Sequence, residues 1–225
     1  MNSVAQSASS FETDSKPWPR PIVAAALAVW LAIVLTLGVR GAYVSAPGQP
    51  PLAIFAGAVA PLILFGVALR TSAAFRALVL ALDVRFIVAI QAWRYAGFGF
   101  IALYVNHILP GLFAWPAALG DMAIGIVAPW WIVSLIRNPQ AVGSAQFRLW
   151  NALGILDFVV AFTAATICAM TITDPSVPSI TPMGQLPLAL IPEFMVPLFV
   201  MLHIAALMKR NGAAENMDAS GEGIR

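Results

Sequence analysis

The sequence contains a single cysteine. Cys168 lies inside an apolar run and is the only cysteine among 225 residues. One cysteine excludes an intramolecular disulfide framework and any metal motif that needs a pair of thiolates. In an apolar setting the residue is best interpreted as a small hydrophobic side chain.

Charge is scarce as well. Lys, Arg, Asp and Glu make up 10% of the chain, and 60% of it is hydrophobic. A soluble domain carries about 25% charged residues, so we expect a lipid bilayer to be part of the solvent. The formal net charge of +2 does not indicate nucleic acid, because the basic residues stand singly between apolar runs. That distribution is typical of membrane topology signals.

Recognisable catalytic motifs are also missing. We find no glycine-rich phosphate loop, no His-Glu-x-x-His and no nucleophile elbow, so an enzyme is not expected. The stretch ALGD, residues 118–121, resembles the Gly-x-Gly-Asp motif of intramembrane aspartyl proteases, with Asp157 as a second aspartate. The resemblance implies two carboxylates sharing one proton. Ala118 stands where the motif has glycine, and nothing beyond Gly120 and Asp121 extends the match.

Six apolar stretches are each long enough to cross a bilayer, which takes about 20 residues. They predict an all-α fold, a polytopic integral membrane protein built as a bundle of six transmembrane helices, with one domain over residues 21–208. Residues 1–20 and 209–225 are predicted to be disordered cytoplasmic tails. The segment between the second and third stretches is predicted to be an amphipathic connector or a helix extension. The stretches are Pro21–Val39, Pro51–Leu69, Phe86–Leu109, Gly111–Ile136, Phe147–Ile172 and Gln185–Met208.

The basic residues predict the orientation. With a cytoplasmic N-terminus, Arg40 alone lies outside, and ten Lys and Arg residues lie inside. The positive-inside rule then places both termini in the cytoplasm, and we expect a bacterial inner membrane. The inside set is Lys16, Arg20, Arg70, Arg76, Arg85, Arg137, Arg148, Lys209, Arg210 and Arg225.

Small residues and prolines predict packing and backbone irregularity. Membrane helices associate through small side chains, which favours Ala24, Ala28 and Ala32 as a contact stripe on the first span. Prolines inside spans free a carbonyl four residues earlier. Pro197 would free the carbonyl of Glu193, and such carbonyls coordinate ions or substrates in many transporters.

Six ionisable residues lie within the spans. A charge at mid-bilayer costs about 2.5–3.5 kcal/mol on insertion scales, so these side chains should face the bundle interior. Helical geometry places small residues beside Asp121, which predicts that its face contacts another helix. The six residues are Arg94, His107, Asp121, Asp157, Glu193 and His203. The stripe is Ala114, Ala117, Ala118, Gly125 and Ala128.

Depth suggests how the charges pair. Asp121, Asp157 and Arg94 all lie near the midplane, so Arg94 flanked by the two aspartates is the economical arrangement. Gln91, one turn before Arg94, could extend this network. An ion pair that only fixes helix register is the structural alternative.

The two histidines bear on a possible haem. His107 lies near the outer end of the third span and His203 near the inner end of the sixth, which argues against a bis-histidine haem. A single-histidine haem on either residue stays open, although the sequence requires no cofactor.

The order by depth, from outside to inside, predicts a function. His107, Glu193, Asp121 with Asp157, Arg94 and His203 form a ladder of titratable groups, the usual material of proton relays. We therefore predict a carrier or channel for protons or a small polar solute, with the histidines as gates. The alternatives are a cofactor-binding redox subunit and a non-catalytic partner or sensor subunit. A homo-oligomer or a membrane complex is compatible with each.

Overall fold

The computed structural model describes the backbone of residues 20–221 and the side chains of residues 21–209. Over this range the regular secondary structure is helical throughout. The α-helices are α1 (Arg20–Val39), α2 (Leu52–Thr71), α3 (Ala73–Ala81), α4 (Val84–Gln91), α5 (Phe98–Val105), α6 (Gly111–Arg137), α7 (Ala145–Thr171) and α8 (Val196–Gly221). Three 3-10 segments cover Ala92–Gly97, Pro139–Gly143 and Thr181–Gly184, and one π-helical turn covers Ile191–Met195.

Six helical segments are long and apolar enough to cross a membrane, which confirms the predicted number. Their bounds agree with the apolar stretches to within a few residues, except that the sixth begins at Ile191 instead of Gln185. The segments are Pro21–Val39, Leu52–Thr71, Val84–Val105, Gly111–Arg137, Ala145–Thr171 and Ile191–Lys209. The third of them is composite, because α4, the 3-10 segment Ala92–Gly97 and α5 follow one another without a break.

The connector between the second and third segments is the separate short helix α3. The hydroxyl of Ser72 begins it by accepting the N–H of Phe75 at 3.1 Å, an N-cap bond that satisfies a donor left free by helical geometry. Arg76 donates to the carbonyl of Leu69 at 2.9 Å through Nη2 and so ties α3 back to α2.

Helix α6 lies at the centre of the bundle, and its predicted contact stripe is confirmed. Ala114, Ala117, Ala118, Gly125 and Ala128 are all buried. Their small side chains let α4, α5 and α7 approach α6 closely.

The predicted stripe on α1 is wrong, because Ala24, Ala28 and Ala32 are exposed. Helix α1 lies at the periphery and contacts the π-helical turn instead, with the rings of Trp30 and Phe194 4.6 Å apart between centroids. An apolar stripe of alanines is equally compatible with a lipid-facing surface, so spacing alone could not separate the two.

The predicted C-terminal tail differs in part from the structure. Helix α8 continues past Met208 to Gly221, through a stretch that includes the strong helix formers Ala213, Ala214 and Glu215. The predicted tail at residues 1–19 and the last four residues, 222–225, lie outside the described part of the chain.

Candidate functional site

Arg94 is the centre of the buried polar cluster. It lies in the 3-10 segment Ala92–Gly97, which packs against α6, and only 2% of the residue is exposed. Its Nε donates to Oδ1 of Asp121 at 2.7 Å, and its Nη2 donates to Oδ2 of Asp157. The structure therefore brings these three residues together in the arrangement that depth suggests.

Two further partners complete the coordination of the guanidinium. Nη1 donates to the carbonyl of Gly154 on α7 at 3.1 Å and lies 3.1 Å from Nε2 of His203 on α8. The ring of Phe158 covers the guanidinium, with Cζ 4.0 Å from the ring centroid. Arg94 thus joins its own 3-10 segment to α6, α7 and α8. The cation–π contact with Phe158 forms in addition to the hydrogen bonds with the two carboxylates.

His203 is buried inside this cluster. Because Arg94 can only donate, Nε2 of His203 accepts, and the ring proton lies on Nδ1. Nδ1 donates to Oδ1 of Asn151 at 2.9 Å, and Asn151 donates through Nδ2 to the carbonyl of Phe147 at 2.8 Å. The hydrogen bonds therefore hold a neutral histidine in one tautomer, away from either mouth of the bundle.

Four ionisable side chains each lie against a glycine of a neighbouring helix or 3-10 segment. A Cβ on the glycine would overlap the side chain in every case, so the close approach requires glycine at these positions. The pairs are Gly97 with Asp121, Gly120 with Asp157, Gly154 with His203 and Gly57 with Glu193.

Glu193 is isolated from the Arg94 cluster. It lies in the π-helical turn, is 0% exposed and accepts no hydrogen bond at either carboxyl oxygen from the described part of the chain. A buried ionised carboxylate without a partner is costly, and such a group is neutralised instead. The arrangement indicates that Glu193 holds a proton.

Glu193→Gln is therefore expected to change the free energy of unfolding by less than about 1 kcal/mol, since glutamine copies the shape of a neutral carboxyl group. The infrared spectrum of the variant should lack one protonated-carboxyl C=O band that the wild-type spectrum contains. Asp83→Asn, at an exposed acid, is the control and should keep that band. If Glu193→Gln leaves the protonated-carboxyl C=O region unchanged and removes carboxylate bands instead, the group is ionised.

His107 does not join the cluster. It is exposed, and it follows the end of α5 with a left-handed backbone, φ 55°. Four of the six groups in the predicted ladder thus form one contact cluster, Glu193 stands apart from them, and His107 lies at the surface.

Gln91, which the sequence predicts as an extension of the network, lies outside it. Its Nε2 donates to the carbonyl of Phe199 at 3.3 Å. The side chain therefore connects α4 to α8 and is not among the hydrogen-bond partners of Arg94 in the described part of the chain.

Two adjoining cavities lead to the carboxylates. The inner cavity, about 60 Å³, is bounded by Asp121 and Asp157. The outer cavity, about 290 Å³, is bounded by the loops that join the helices at the end away from the two termini, which we call the distal end. Both are lined by Pro51, Ile54 and Ile180, so the two spaces adjoin.

A third cavity, about 360 Å³, is lined by Arg94 and the exposed Trp93. It shares Asp121 and Phe158 with the inner cavity, so these two spaces also adjoin. Towards the termini the cluster is covered by the main apolar core, which contains Ile87, Val88, Leu135 and Phe147.

The geometry does not favour a haem on His203, because both of its ring nitrogens are engaged, by Arg94 and by Asn151. The two aspartates also differ from a protease dyad, since the Arg94 guanidinium is bound to each of them. Within the described side chains no group of three or more His, Cys, Asp or Glu residues could hold a metal ion.

The fold and cluster define a class of small helical proteins with six candidate membrane spans and a buried arginine–carboxylate centre. The family model described as Domain of unknown function (DUF8737) matches residues 50–209, and the chain belongs to this family. The match includes the whole Arg94 cluster, Glu193 and the second to sixth spans, but not the peripheral α1. No curated protein and no solved structure matches the chain.

Proposed function

We propose that this chain is an integral protein of a bacterial inner membrane, with all six spans inserted and both termini in the cytoplasm. Large apolar side chains on the outer faces of the helices support insertion. Ile63, Ile126 and Val159 are all more than half exposed, and lipid would cover them. The ten-to-one distribution of basic residues supports the orientation, which makes the distal end extracytoplasmic.

We further propose that the protein is a carrier or channel for protons or a small polar solute. The observation that carries this proposal is that two carboxylates share one arginine at the floor of a cavity. Arg94 neutralises one negative charge, so the ionised pair of Asp121 and Asp157 leaves one in excess. A buried excess charge is costly, and a proton or a cation entering from the cavity would remove that cost.

The charge balance between Arg94 and the two carboxylates suggests how the site would work. With a proton or a cationic solute bound, the cluster is neutral; without it, the excess charge favours rearrangement around Arg94. The cavities adjoin the distal end, and the apolar core covers the cluster towards the termini. A site reached by cavities from the distal end supports a carrier. Glu193, with its own proton, would be a third exchangeable carboxylate.

Asp121→Asn is expected to abolish flux in reconstituted vesicles while the protein still folds. Asparagine keeps the size of the side chain but removes the excess charge that the substrate must neutralise. The measurement is a pH jump across proteoliposomes containing a pH-sensitive dye, at several starting pH values. Folding is checked by size-exclusion chromatography in detergent.

Asp83→Asn is the matched control. Asp83 is exposed and caps α4 by accepting the N–H of Arg85 at 2.8 Å; asparagine caps equally well, so flux should be unchanged. Wild-type flux in a variant combining Asp121→Asn, Asp157→Asn and Glu193→Gln would dispose of the carrier hypothesis. The cluster would then be a structural centre that fixes helix register, as in a partner or sensor subunit.

A further inference from the structure

We infer that the inner cavity, together with the adjoining part of the outer cavity, binds a small apolar amine in its protonated form. This inference rests on the proposed function, because it names the substrate class of the same site. The cavity combines aromatic rings with carboxylates, a pairing that suits a cation with an apolar body. Its lining residues that carry this argument are Phe100, Phe113, Phe158, Phe162, Asp121 and Asp157.

The aromatic rings give the cavity its apolar wall. Phe100 and Phe113 meet edge to face, with their centroids 5.4 Å apart, and Phe158 both lines the cavity and contacts the guanidinium of Arg94. Rings present a negative face to a cation and an apolar surface to a hydrocarbon group. A ligand with one ammonium group and one small apolar group satisfies both parts of this wall.

The charges that line the two cavities are of one sign. Among the described residues, Lys, Arg and His are absent from the lining of both the inner and the outer cavity. Arg94 lines the third cavity, and the ring of Phe158 lies against its guanidinium. An anion that enters from the distal end would meet only carboxylates along the outer and inner cavities, so this route disfavours anions.

An inorganic cation fits the cavity less well. Ca²⁺ takes six to eight oxygen ligands and Mg²⁺ takes six, several of them water. The inner cavity offers two carboxylates, each already bound to Arg94, and otherwise apolar side chains. A protonated amine needs fewer acceptors, because its apolar part contacts the phenylalanine rings.

The outer cavity provides an entrance with the same charge preference. Asp174 lines it and accepts the backbone N–H of Ser176 at 2.8 Å. That hydrogen bond holds the pKa of Asp174 below its ordinary value, so the group stays ionised at neutral pH. A negative charge at the mouth favours the approach of cations.

Binding of benzylammonium to the purified full chain tests the inference. Radiolabelled benzylamine, which is protonated at neutral pH, is measured by equilibrium dialysis in detergent, with benzyl alcohol and benzoate as the neutral and anionic probes. We expect benzylammonium to bind at least about tenfold more tightly than benzyl alcohol, roughly the effect of one desolvated charge contact. Benzoate should not bind.

Two variants separate the parts of the site. Asp121→Asn should remove the preference for the charged probe, whereas Phe113→Leu keeps both carboxylates and should weaken benzylammonium severalfold. Phe86→Leu is the control for the aromatic change, because Phe86 is 59% exposed on the outer surface and lines neither cavity. If Asp121→Asn does not fold, Phe113→Leu still tests the inference.

Equal affinity for benzylammonium and benzyl alcohol would overturn the amine inference, as would binding that Phe113→Leu leaves unchanged. The vesicle assay keeps this result separate from the proposed function. Flux that depends on Asp121 without amine binding overturns the inference and leaves the carrier. Amine binding by a protein that moves neither protons nor radiolabelled benzylamine into vesicles supports the site and overturns the carrier.

Discussion

Replacing Arg94 by Gln is expected to destabilise the protein by about 3–5 kcal/mol, the usual cost of removing one partner from a buried ion pair. Asp121 and Asp157 would lose the cation that both of them contact, and the carbonyl of Gly154 would lose its donor. Reversible unfolding in mixed detergent micelles measures the change in the free energy of unfolding. The effect should be the largest of any single substitution of a charged residue in the described spans.

Arg85→Gln is the matched control. Arg85 pairs with Asp83 at 2.8 Å, but the two side chains are 54% and 48% exposed, and an exposed pair contributes about 0–1 kcal/mol. Adding Asp121→Asn and Asp157→Asn to Arg94→Gln should recover part of the loss, because the stranded charges are then gone. A loss for Arg94→Gln no greater than for Arg85→Gln would mean that the cluster is hydrated and not buried.

The contact of Arg94 with both aspartates could be predicted from the sequence because an unpaired charge in hydrocarbon is so costly that few arrangements remain. The same reasoning identified the protein-facing stripe of α6. It could not place Phe158 over the guanidinium or the carbonyl of Gly154 beneath it. The sequence did contain a signal for the contribution of α7 to the cluster. Asn151, Gly154 and Asp157 recur every three residues on this helix and therefore share a face.

The contacts of His203 could not be predicted, because depth along a helix does not say which face the ring occupies. The ring lies 3.1 Å from Nη1 of Arg94 and is bonded to Asn151 at 2.9 Å. Glu193 was harder still, because an irregular π-helical turn alters which face each residue presents.

Gly125→Ala is expected to destabilise the protein by about 1–3 kcal/mol, the usual cost of overpacking, and to abolish any flux. A Cβ on Gly125 would overlap the backbone nitrogen of Tyr95 and lie 3.0 Å from the carbonyl carbon of Arg94. Both obstructing atoms belong to the backbone of the 3-10 segment, so the overlap cannot be relieved by rotating a side chain. The 3-10 segment would have to move off α6, and it would carry the guanidinium away from Asp121.

Gly99→Ala and Gly66→Ala are the controls, because a Cβ at either position meets no described atom within 4 Å. Alanine is favoured over glycine inside a helix by about 0.5–1 kcal/mol, so the controls should be neutral or slightly stabilising. The same methyl group is thus expected to have opposite effects at positions that differ only in what lies beside them. Should Gly125→Ala behave like the controls, the 3-10 segment is free to shift, and the position of Arg94 is set by its carboxylate partners alone. A loss confined to Gly125→Ala would instead mean that backbone contact with α6 fixes Arg94 and that the ion pairs form on a site already in place.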